Sequence, residues 1–268
     1  MRITLYRQLV SSVSSDQAVA LVTAGASGIG RTIADALWTQ GYRVVVLDIN
    51  REFLRDYSTR YGEDTTIHCD VADPVAVDRV LVDLLASLSR VDLLVNNAGI
   101  SGPTALVEEI GVEEWQNTIA TDLNSLFYVT RHVIPLMKKR RSGVIINMAS
   151  NAGLFGCPQR SPYAASKWAA VGLAKTWAME LGPWNICVNA ICPGSVSGPR
   201  IDQVIERDAA LRGQSPADIR ARYEQQNSLK RFVSADDIAA MVTFLAGPGG
   251  VNISGQAIAI DGHTETLA

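Results

Sequence analysis

A tyrosine and a lysine lie four residues apart in the segment SPYAASKWAAV, residues 161–171. Pro162 is suited to the first turn of a helix, where its missing N–H group would have no partner in any case. In that helix Tyr163 and Lys167 lie one turn apart on the same face. A nearby cation favours the phenolate form of tyrosine, so the pair predicts a proton donor and acceptor that works near neutral pH. The alternative is a surface tyrosine with the lysine stem packed on its ring.

A glycine-rich segment, TAGASGIGRTIADAL at residues 23–37, predicts a nucleotide site. Gly25, Gly28 and Gly30 fall between a predicted strand and a predicted helix, where backbone N–H groups can bind a pyrophosphate. The dinucleotide fingerprint also needs an acid about 20 residues further on, and Asp48 ends the next predicted strand at that distance. The segment therefore predicts a dinucleotide cofactor.

The acid at the end of this second strand indicates which dinucleotide binds. Asp48 would accept hydrogen bonds from ribose hydroxyls and repel a 2′-phosphate, and Ile49 beside it offers no cation to bind one. NAD is therefore favoured over NADP. The alternative is that Asp48 caps the next helix, although Asn50 could do this instead.

The remaining candidates for the nucleotide site follow other predicted strands or complete the loop. They are Ser27, Ile29, Asp70, Val71, Asn97, Ala98 and Gly99. For Asp70, a turn-forming role is an equal alternative.

Short apolar runs alternate with helical segments along most of the chain. The runs are VALVTA (19–24), RVVVLD (43–48), TIHCDV (66–71), VDLLVNNAG (91–99), GVIINMAS (143–150), ICVNAICPG (186–194) and QAIAID (256–261). Continuous Val, Ile and Leu without alternation indicates strands covered on both faces. Helix signals such as Asp73-Pro74 separate these runs. The pattern predicts an α/β fold with a doubly wound, seven-stranded parallel sheet, a Rossmann fold, in one domain over 17–268.

Composition excludes several other classes of protein. The net charge of −3 gives no basic surface for nucleic acid, and KKRR at 138–141 is interpreted as a solvated helix end. No stretch reaches the roughly 20 apolar residues of a membrane span. Residues 1–16 are expected to form a flexible arm.

The cysteines and histidines do not suggest a metal or nucleophile site. Four cysteines lack CxxC spacing and mostly lie in apolar runs, which indicates reduced thiols and a cytoplasmic location. The three histidines are scattered, so their spacing predicts neither a zinc site nor a Ser/His pair.

Together these motifs resemble the short-chain dehydrogenase/reductase family from about residue 17 to residue 263. The matching pieces are the glycine loop at 23–30, Asp70, NNAG at 96–99, Ser150, YAASK at 163–167 and PG at 193–194. The resemblance implies a nicotinamide-dependent oxidoreductase, usually tetrameric. It also implies that Tyr163 is the acid/base, that Lys167 holds the ribose and promotes ionisation of the tyrosine, and that Ser150 hydrogen-bonds the substrate oxygen. Taken alone, Ser150 could instead satisfy local backbone groups.

The sequence departs from the family pattern where a fourth catalytic residue, an asparagine, is usual. Asp122 occupies this position by its spacing of 28 residues before Ser150, and Asn124 would fit only after a register shift. In the family the asparagine acts largely through its backbone carbonyl, which an aspartate keeps, so the proton relay is expected to survive. The added carboxylate would also pair with Lys167, which predicts an activity optimum at higher pH.

Two smaller departures concern the cofactor site. Ala24 replaces a frequent glycine and is expected to keep an extended backbone. The resemblance places Pro193, Gly194 and the Val196 backbone near the nicotinamide, but Gly198 stands where a threonine is common.

The charged stretch 199–231 predicts two amphipathic helices and a substrate lid. Arg200, Asn151, Gln159 and Arg160 would form a polar substrate pocket. The alternative for both arginines is a solvated or structural role. A polar pocket favours a sugar, polyol or hydroxy acid over a steroid or a long acyl chain.

The leading hypothesis is an NAD-dependent dehydrogenase of a small polar secondary alcohol, assembled as a homotetramer. The alternatives are an NADPH-dependent ketoreductase of the 3-oxoacyl type and a dinucleotide-binding sensor without catalysis. A sugar-nucleotide epimerase also uses a Tyr/Lys pair, but the NNAG segment and the short chain after residue 194 argue against it.

Overall fold

The computed structural model describes residues 17–265 and residue 267. The predicted N-terminal arm, residues 1–16, lies outside them, as do residues 266 and 268. The described part contains a seven-stranded parallel sheet with helices on both faces, as predicted. The strands are β1 (Val19–Thr23), β2 (Arg43–Asp48), β3 (Thr66–His68), β4 (Leu93–Asn96), β5 (Gly143–Met148), β6 (Ile186–Pro193) and β7 (Ala257–Ile260).

The strands lie in the order β3-β2-β1-β4-β5-β6-β7. The chain therefore reverses its direction of winding between β1 and β4, and a crevice opens there at the carboxyl ends of the strands. This is the edge at which parallel sheets bind ligands.

The helices cover the two faces of the sheet, and two of them lie in the stretch predicted to be the lid. They are α1 (Gly28–Thr39), α2 (Arg51–Tyr61), α3 (Pro74–Ser87), α4 (Val112–Ile119), α5 (Ser125–Arg140), α6 (Ser161–Leu181), α7 (Pro199–Arg212), α8 (Pro216–Gln225) and α9 (Ala235–Ala246). A π turn, Ala120–Asn124, joins α4 to α5. The two helices predicted within 199–231 are confirmed as α7 and α8, whereas their role as a substrate lid stays a prediction.

The apolar strands supply both halves of the core. Along β1, Val19 and Leu21 belong to one buried cluster, whereas Ala20 and Val22 belong to the cluster on the opposite face. Because both faces are covered by helices, neither set of alternating positions can be polar. This is why the strands appear in the sequence as continuous apolar runs.

Three helices begin at residues that the sequence predicts as helix starts. The Asn50 side chain accepts from two backbone N–H groups at the start of α2, so the helix cap does not require Asp48. Asp73 caps α3 with Pro74 in the first turn, and Pro162 lies in the first turn of α6. The basic run 138–141 ends α5, with Arg141 in the left-handed conformation that often closes a helix.

Candidate active site

Helix α6 carries Tyr163 and Lys167 to the crevice at the carboxyl ends of the strands. Tyr163 lines the cleft, whereas Lys167 is only 3% exposed. Lys167 Nζ donates to the Met148 carbonyl at 3.1 Å and lies 5.5 Å from the centre of the Tyr163 ring. The alternative of a lysine stem on a surface tyrosine is wrong, since the lysine is buried.

Asp122 lies in the π turn and reaches the same lysine. Its side chain is completely buried, and Asp122 Oδ2 is 3.4 Å from Lys167 Nζ. Asp122 Oδ1 accepts from the Ile100 N–H group at 2.7 Å. A π turn occurs frequently at functional sites, and here it supplies the buried acid that pairs with the lysine.

Ser150 follows β5 and also lines the cleft. Its hydroxyl donates to Asn151 Oδ1 at 3.2 Å and accepts from the Ala152 N–H group at 3.2 Å. Ser150 therefore provides a hydrogen-bond acceptor for a nearby backbone N–H group, which is the alternative role that the sequence left open. It also lines the same cleft as Tyr163. A hydroxyl can rotate between partners, so the two roles are compatible.

The glycine loop between β1 and α1 is shaped by close backbone contacts. A Cβ atom at Gly30 would lie 2.1 Å from the Ala24 carbonyl oxygen, and one at Gly25 would lie 2.6 Å from Val46 Cγ1. Ala24 adopts φ +48, so the expectation that it stays extended is wrong. The loop turns here in the left-handed conformation, which a residue with a Cβ adopts only with strain.

The start of α1 fits a pyrophosphate group. Ser27, its N-cap, makes no capping side-chain hydrogen bond, and the first turn contains no acidic residue. The N–H groups of this turn therefore keep their hydrogen-bonding capacity for an anion, and the helix dipole favours negative charge there. These features fit the phosphates of a nicotinamide dinucleotide.

The segment after β4 holds the glycine loop in place. Asn97 Nδ2 donates to the carbonyls of Thr23 and Ala24 at 3.0 and 3.1 Å. The N–H groups of Asn97 and Ala98 both donate to Thr23 Oγ1 at 2.9 Å. The NNAG motif thus ties two strand ends together at the edge of the cleft.

Asp48 lies against the glycine loop. It is 6% exposed, and Asp48 Oδ2 accepts from the Ala26 N–H group at 3.1 Å while Oδ1 accepts from Asn50 N–H at 2.9 Å. Its carboxylate is fixed beside the loop rather than turned to solvent.

The cleft has a volume of about 630 Å³. It brings together most of the predicted site residues, namely Ser27, Gly28, Ile29, Gly30, Asn97, Gly99, Ser150, Asn151, Gln159, Arg160, Tyr163, Lys167, Pro193, Gly194, Val196 and Arg200. The remaining predicted residues do not line it. They are Gly25, Asp48, Ile49, Asp70, Val71, Ala98 and Asp122.

Two of these residues have clear local roles. Asp70 is exposed and Asp70 Oδ1 accepts from the Ala72 N–H group at 2.9 Å, which is the turn-forming alternative. Val71 is buried in the core.

The two predicted substrate arginines make backbone contacts at the cleft. Arg160 donates to the Ser101 carbonyl at 2.7 Å, and its guanidinium carbon lies 4.8 Å from the centre of the Tyr163 ring. Arg200 donates to the Gly99 carbonyl at 3.2 Å. Tyr163 therefore has two cations near its ring, Lys167 and Arg160.

Gly198 explains one departure from the family pattern. Its φ is +138, immediately before α7, and a residue with a side chain rarely adopts this backbone conformation. A threonine at this position would be strained, so the chain enters its lid through a turn that favours glycine.

Sequence reasoning missed several lining residues. Phe53 and Thr32 lie on the nucleotide side, and Ser101 follows the NNAG motif closely enough to have been found. The lid residues Asp208 and Tyr223 gave no separate signal, because charged and aromatic side chains are common on any amphipathic helix.

The cysteines are not activated nucleophiles. All four are free, and burial raises the pKa of the Cys192 thiol to about 11. Burial also raises the pKa of Cys157, which lines the cleft. Both thiols are therefore protonated at neutral pH.

Comparison with known proteins extends these observations. In the part of the chain that the structure describes, no helix has the length and apolar composition needed to cross a membrane.

D-threitol dehydrogenase of Mycolicibacterium smegmatis is 35% identical over 260 residues, which cover 92% of this chain and 92% of the relative.

Two solved structures share the fold over nearly the whole chain. The actinorhodin polyketide ketoreductase with NADPH is 33% identical with a TM-score of 0.87, covering 93% of this chain and 98% of its own. NAD⁺-bound xylitol dehydrogenase is 28% identical with a TM-score of 0.85, and the match covers 91% of this chain and 97% of the xylitol dehydrogenase chain. The sequence profile of the short chain dehydrogenases matches residues 18–209. The chain therefore belongs to the short-chain dehydrogenase/reductase family, oxidoreductases that act on CH–OH groups and the corresponding ketones.

Proposed function

We propose that the protein is an NAD-dependent dehydrogenase that interconverts a small polar secondary alcohol with its ketone or lactone. The alcohol is a sugar, a polyol or a hydroxy acid. The position of Tyr163 carries the proposal, since its ring lies in the cleft 4.8 Å from the Arg160 guanidinium carbon and 5.5 Å from Lys167 Nζ. Both cations stabilise negative charge on the tyrosine oxygen, so Tyr163 can exchange a proton with the alcohol.

Three residues of the chain have different roles in this proton transfer. Tyr163 accepts it from the substrate hydroxyl during oxidation and returns it during reduction. Ser150, released from Asn151 Oδ1, donates a hydrogen bond to the same oxygen and stabilises its developing negative charge. Lys167 is fixed by the Met148 carbonyl and by Asp122. Bound nicotinamide supplies the acceptor or donor of hydride.

The preference for NAD depends on Asp48. Its buried carboxylate lies within 3.1 Å of the glycine-loop N–H group of Ala26, so a 2′-phosphate bound beside this loop would meet a fixed negative charge. The similar structures include one with NADPH and one with NAD⁺, so similarity alone does not select the cofactor.

An NADPH-dependent ketoreductase is the second candidate. The similarity to a polyketide ketoreductase, with a TM-score of 0.87, favours it. Asp48 opposes it, and so do the polar groups around Tyr163, which a mostly apolar acyl substrate would leave without partners.

Assembly and location form part of the same proposal. The family resemblance implies a homotetramer. The four free thiols support a reducing compartment such as the cytoplasm.

The test is NADH formation by the purified protein on a panel of polyols, aldoses, sugar acids and hydroxy acids, with NADP run in parallel. Reduction of 3-oxoacyl thioesters by NADPH is the comparison reaction. We expect turnover with NAD on at least one alcohol, and a loss of at least about 10³-fold in the Tyr163→Phe variant, which keeps the ring but lacks the proton-carrying oxygen.

Three results would contradict the proposal. A clear preference for NADPH and 3-oxoacyl thioesters would favour the ketoreductase. NAD binding without turnover on any alcohol would favour the sensor. Unchanged activity of Tyr163→Phe would remove Tyr163 from the chemistry.

A further inference from the structure

The lid helices place a second polar cluster on the wall of the cleft. Asp208 lies on α7, and Tyr223 lies on α8. Both line the same cleft as Tyr163. Arg160 also lines this cleft, and its guanidinium carbon lies 4.8 Å from the centre of the Tyr163 ring. Arg160 therefore shares the cleft with both the reacting tyrosine and the lid residues.

Asp208 is a buried acid, only 3% exposed. Arg212, one turn along α7, donates from Nε to Asp208 Oδ1 at 2.6 Å. One explanation of the Asp208–Arg212 pair is that it only stabilises α7. An ion pair on the solvent-exposed face of the helix would give the same stabilisation without the cost of burying a carboxylate. A buried carboxylate at a cleft wall keeps further lone pairs for a ligand.

Tyr223 and Arg160 each present a donor with no partner. Among residues 17–265 and 267 no hydrogen bond is formed by the Tyr223 hydroxyl, and Arg160 Nε is buried without a partner. Burial raises the pKa of Tyr223, and the negative charge of Asp208 adds to this effect. The phenol therefore stays protonated and can donate a hydrogen bond. Arg160 Nε is the buried donor of the two, and leaving it unpaired costs about 1–3 kcal/mol, which a hydrogen bond to a ligand would offset.

We propose that Asp208, Tyr223 and Arg160 form a subsite for the hydroxyl groups at the far end of a neutral sugar or polyol. The inference rests on the proposed function and narrows its substrate class. Each hydroxyl both donates and accepts, which matches one carboxylate acceptor and two donors. Ile201 and Val204, also on the cleft wall, contact the CH groups between the hydroxyls.

The same chemistry disfavours the other substrates of the proposed class. The carboxylate of a hydroxy acid has no hydrogen to donate to Asp208, so it cannot replace a hydroxyl at this acceptor. An acyl chain would leave the acceptor and both donors unsatisfied. A site built around hydroxyl partners rejects analogues that lack the hydroxyl more strongly than an apolar pocket rejects a small change in size.

The test compares matched substrates in the holoenzyme with saturating NAD. A four- or five-carbon polyol is assayed beside its analogue without the distal hydroxyl and beside the hydroxy acid of equal length. The variants are Tyr223→Phe and Asp208→Asn, which keep side-chain volume. Tyr61→Phe is the control, because the Tyr61 hydroxyl contacts Asp35 away from the cleft.

We expect the unmodified protein to favour the polyol over the deoxy analogue by at least about 10-fold in kcat/KM, which corresponds to about 1.4 kcal/mol. Each lid variant should lower kcat/KM for the polyol by about 10-fold to 100-fold, mainly through KM. The same variants should leave the deoxy analogue unchanged, and Tyr61→Phe should leave both substrates unchanged.

Several results would overturn the subsite. One is an equal loss on the polyol and the deoxy analogue in the lid variants, which would indicate a structural role. Another is a preference of the unmodified protein for the hydroxy acid, which would leave the proposed function intact. If no alcohol is oxidised, the proposed function itself fails. In that case the subsite is tested by calorimetric titration of the NAD-bound protein with the polyol. If the polyol does not bind, or if Tyr223→Phe does not weaken its binding, the subsite is wrong independently of the proposed function.

Discussion

At the scale of single residues, the carboxylate of Asp122 distinguishes this active site from the family pattern. Asp122 and Lys167 are both buried, with Asp122 Oδ2 3.4 Å from Lys167 Nζ. A negative charge so close to the lysine offsets part of its field at Tyr163. Arg160, near the tyrosine ring, supplies a cation that lies outside this pair.

The variant Asp122→Asn tests this balance of charge. Its amide oxygen can still accept from the Ile100 N–H group, and the lysine charge is no longer offset. We expect the protein to remain active, with kcat changed by less than about 10-fold, because asparagine keeps the acceptor for the Ile100 N–H group and the backbone carbonyl. A loss of more than about 100-fold would show that the negative charge of the carboxylate is itself needed at the active site.

Asp122→Ala is the matched comparison for Asp122→Asn. The stability of both variants is measured by thermal unfolding. Both variants remove the counter-ion of Lys167, but only alanine also leaves the Ile100 N–H group without an acceptor. A buried donor left without a partner costs about 1–3 kcal/mol. The alanine variant should therefore be less stable than the asparagine variant by at least about this amount.

At the scale of elements, the sequence predicted the seven strands, the two lid helices and the helix starts. These follow from signals that are local, such as continuous apolar runs and capping residues. The π turn around Asp122 was not predicted, because a five-residue segment is too short to show its own period in the sequence. The proposed lid subsite was not predicted either, since Asp208 and Tyr223 line one cleft only after α7 and α8 pack together.

The glycine loop supplies a prediction about stability. Ala24 holds φ +48, where a Cβ is strained by about 1–2 kcal/mol. Ala24→Gly relieves this strain but increases the entropy of the unfolded chain, which offsets about 0.5–1 kcal/mol. We expect a net gain of up to about 1 kcal/mol and a rise in Tm of roughly 2–4 °C.

The control for this prediction is Ala36→Gly in the interior of α1, which should lower Tm because glycine weakens a helix by about 1 kcal/mol. Both variants are compared by calorimetry without cofactor. If Ala24→Gly lowers Tm as much as the control, the left-handed conformation at residue 24 is not a source of strain.

At the scale of the whole molecule, large apolar side chains remain exposed on the helices next to the active site. Phe127 on α5 and Trp168 on α6 are each 52% exposed, and Trp115 on α4 is 40% exposed. Fully burying such a side chain contributes about 1.5–3 kcal/mol. Helices α4 to α6 thus provide apolar surface that self-association would remove from water.

We expect the protein to be a homotetramer in solution and to use this surface. Phe127→Asp combined with Trp168→Asp should shift the assembly to smaller species in sedimentation velocity, because a charge at each position opposes burial. Val75→Asp is the control, since Val75 is 73% exposed but lies on α3. A monomeric unmodified protein would contradict the assembly. An unchanged tetramer in the double variant would exclude this surface as the interface. Because Trp168 follows Lys167 directly, dissociation should also lower turnover, as α6 would lose the contacts that hold Tyr163 and Lys167 in register.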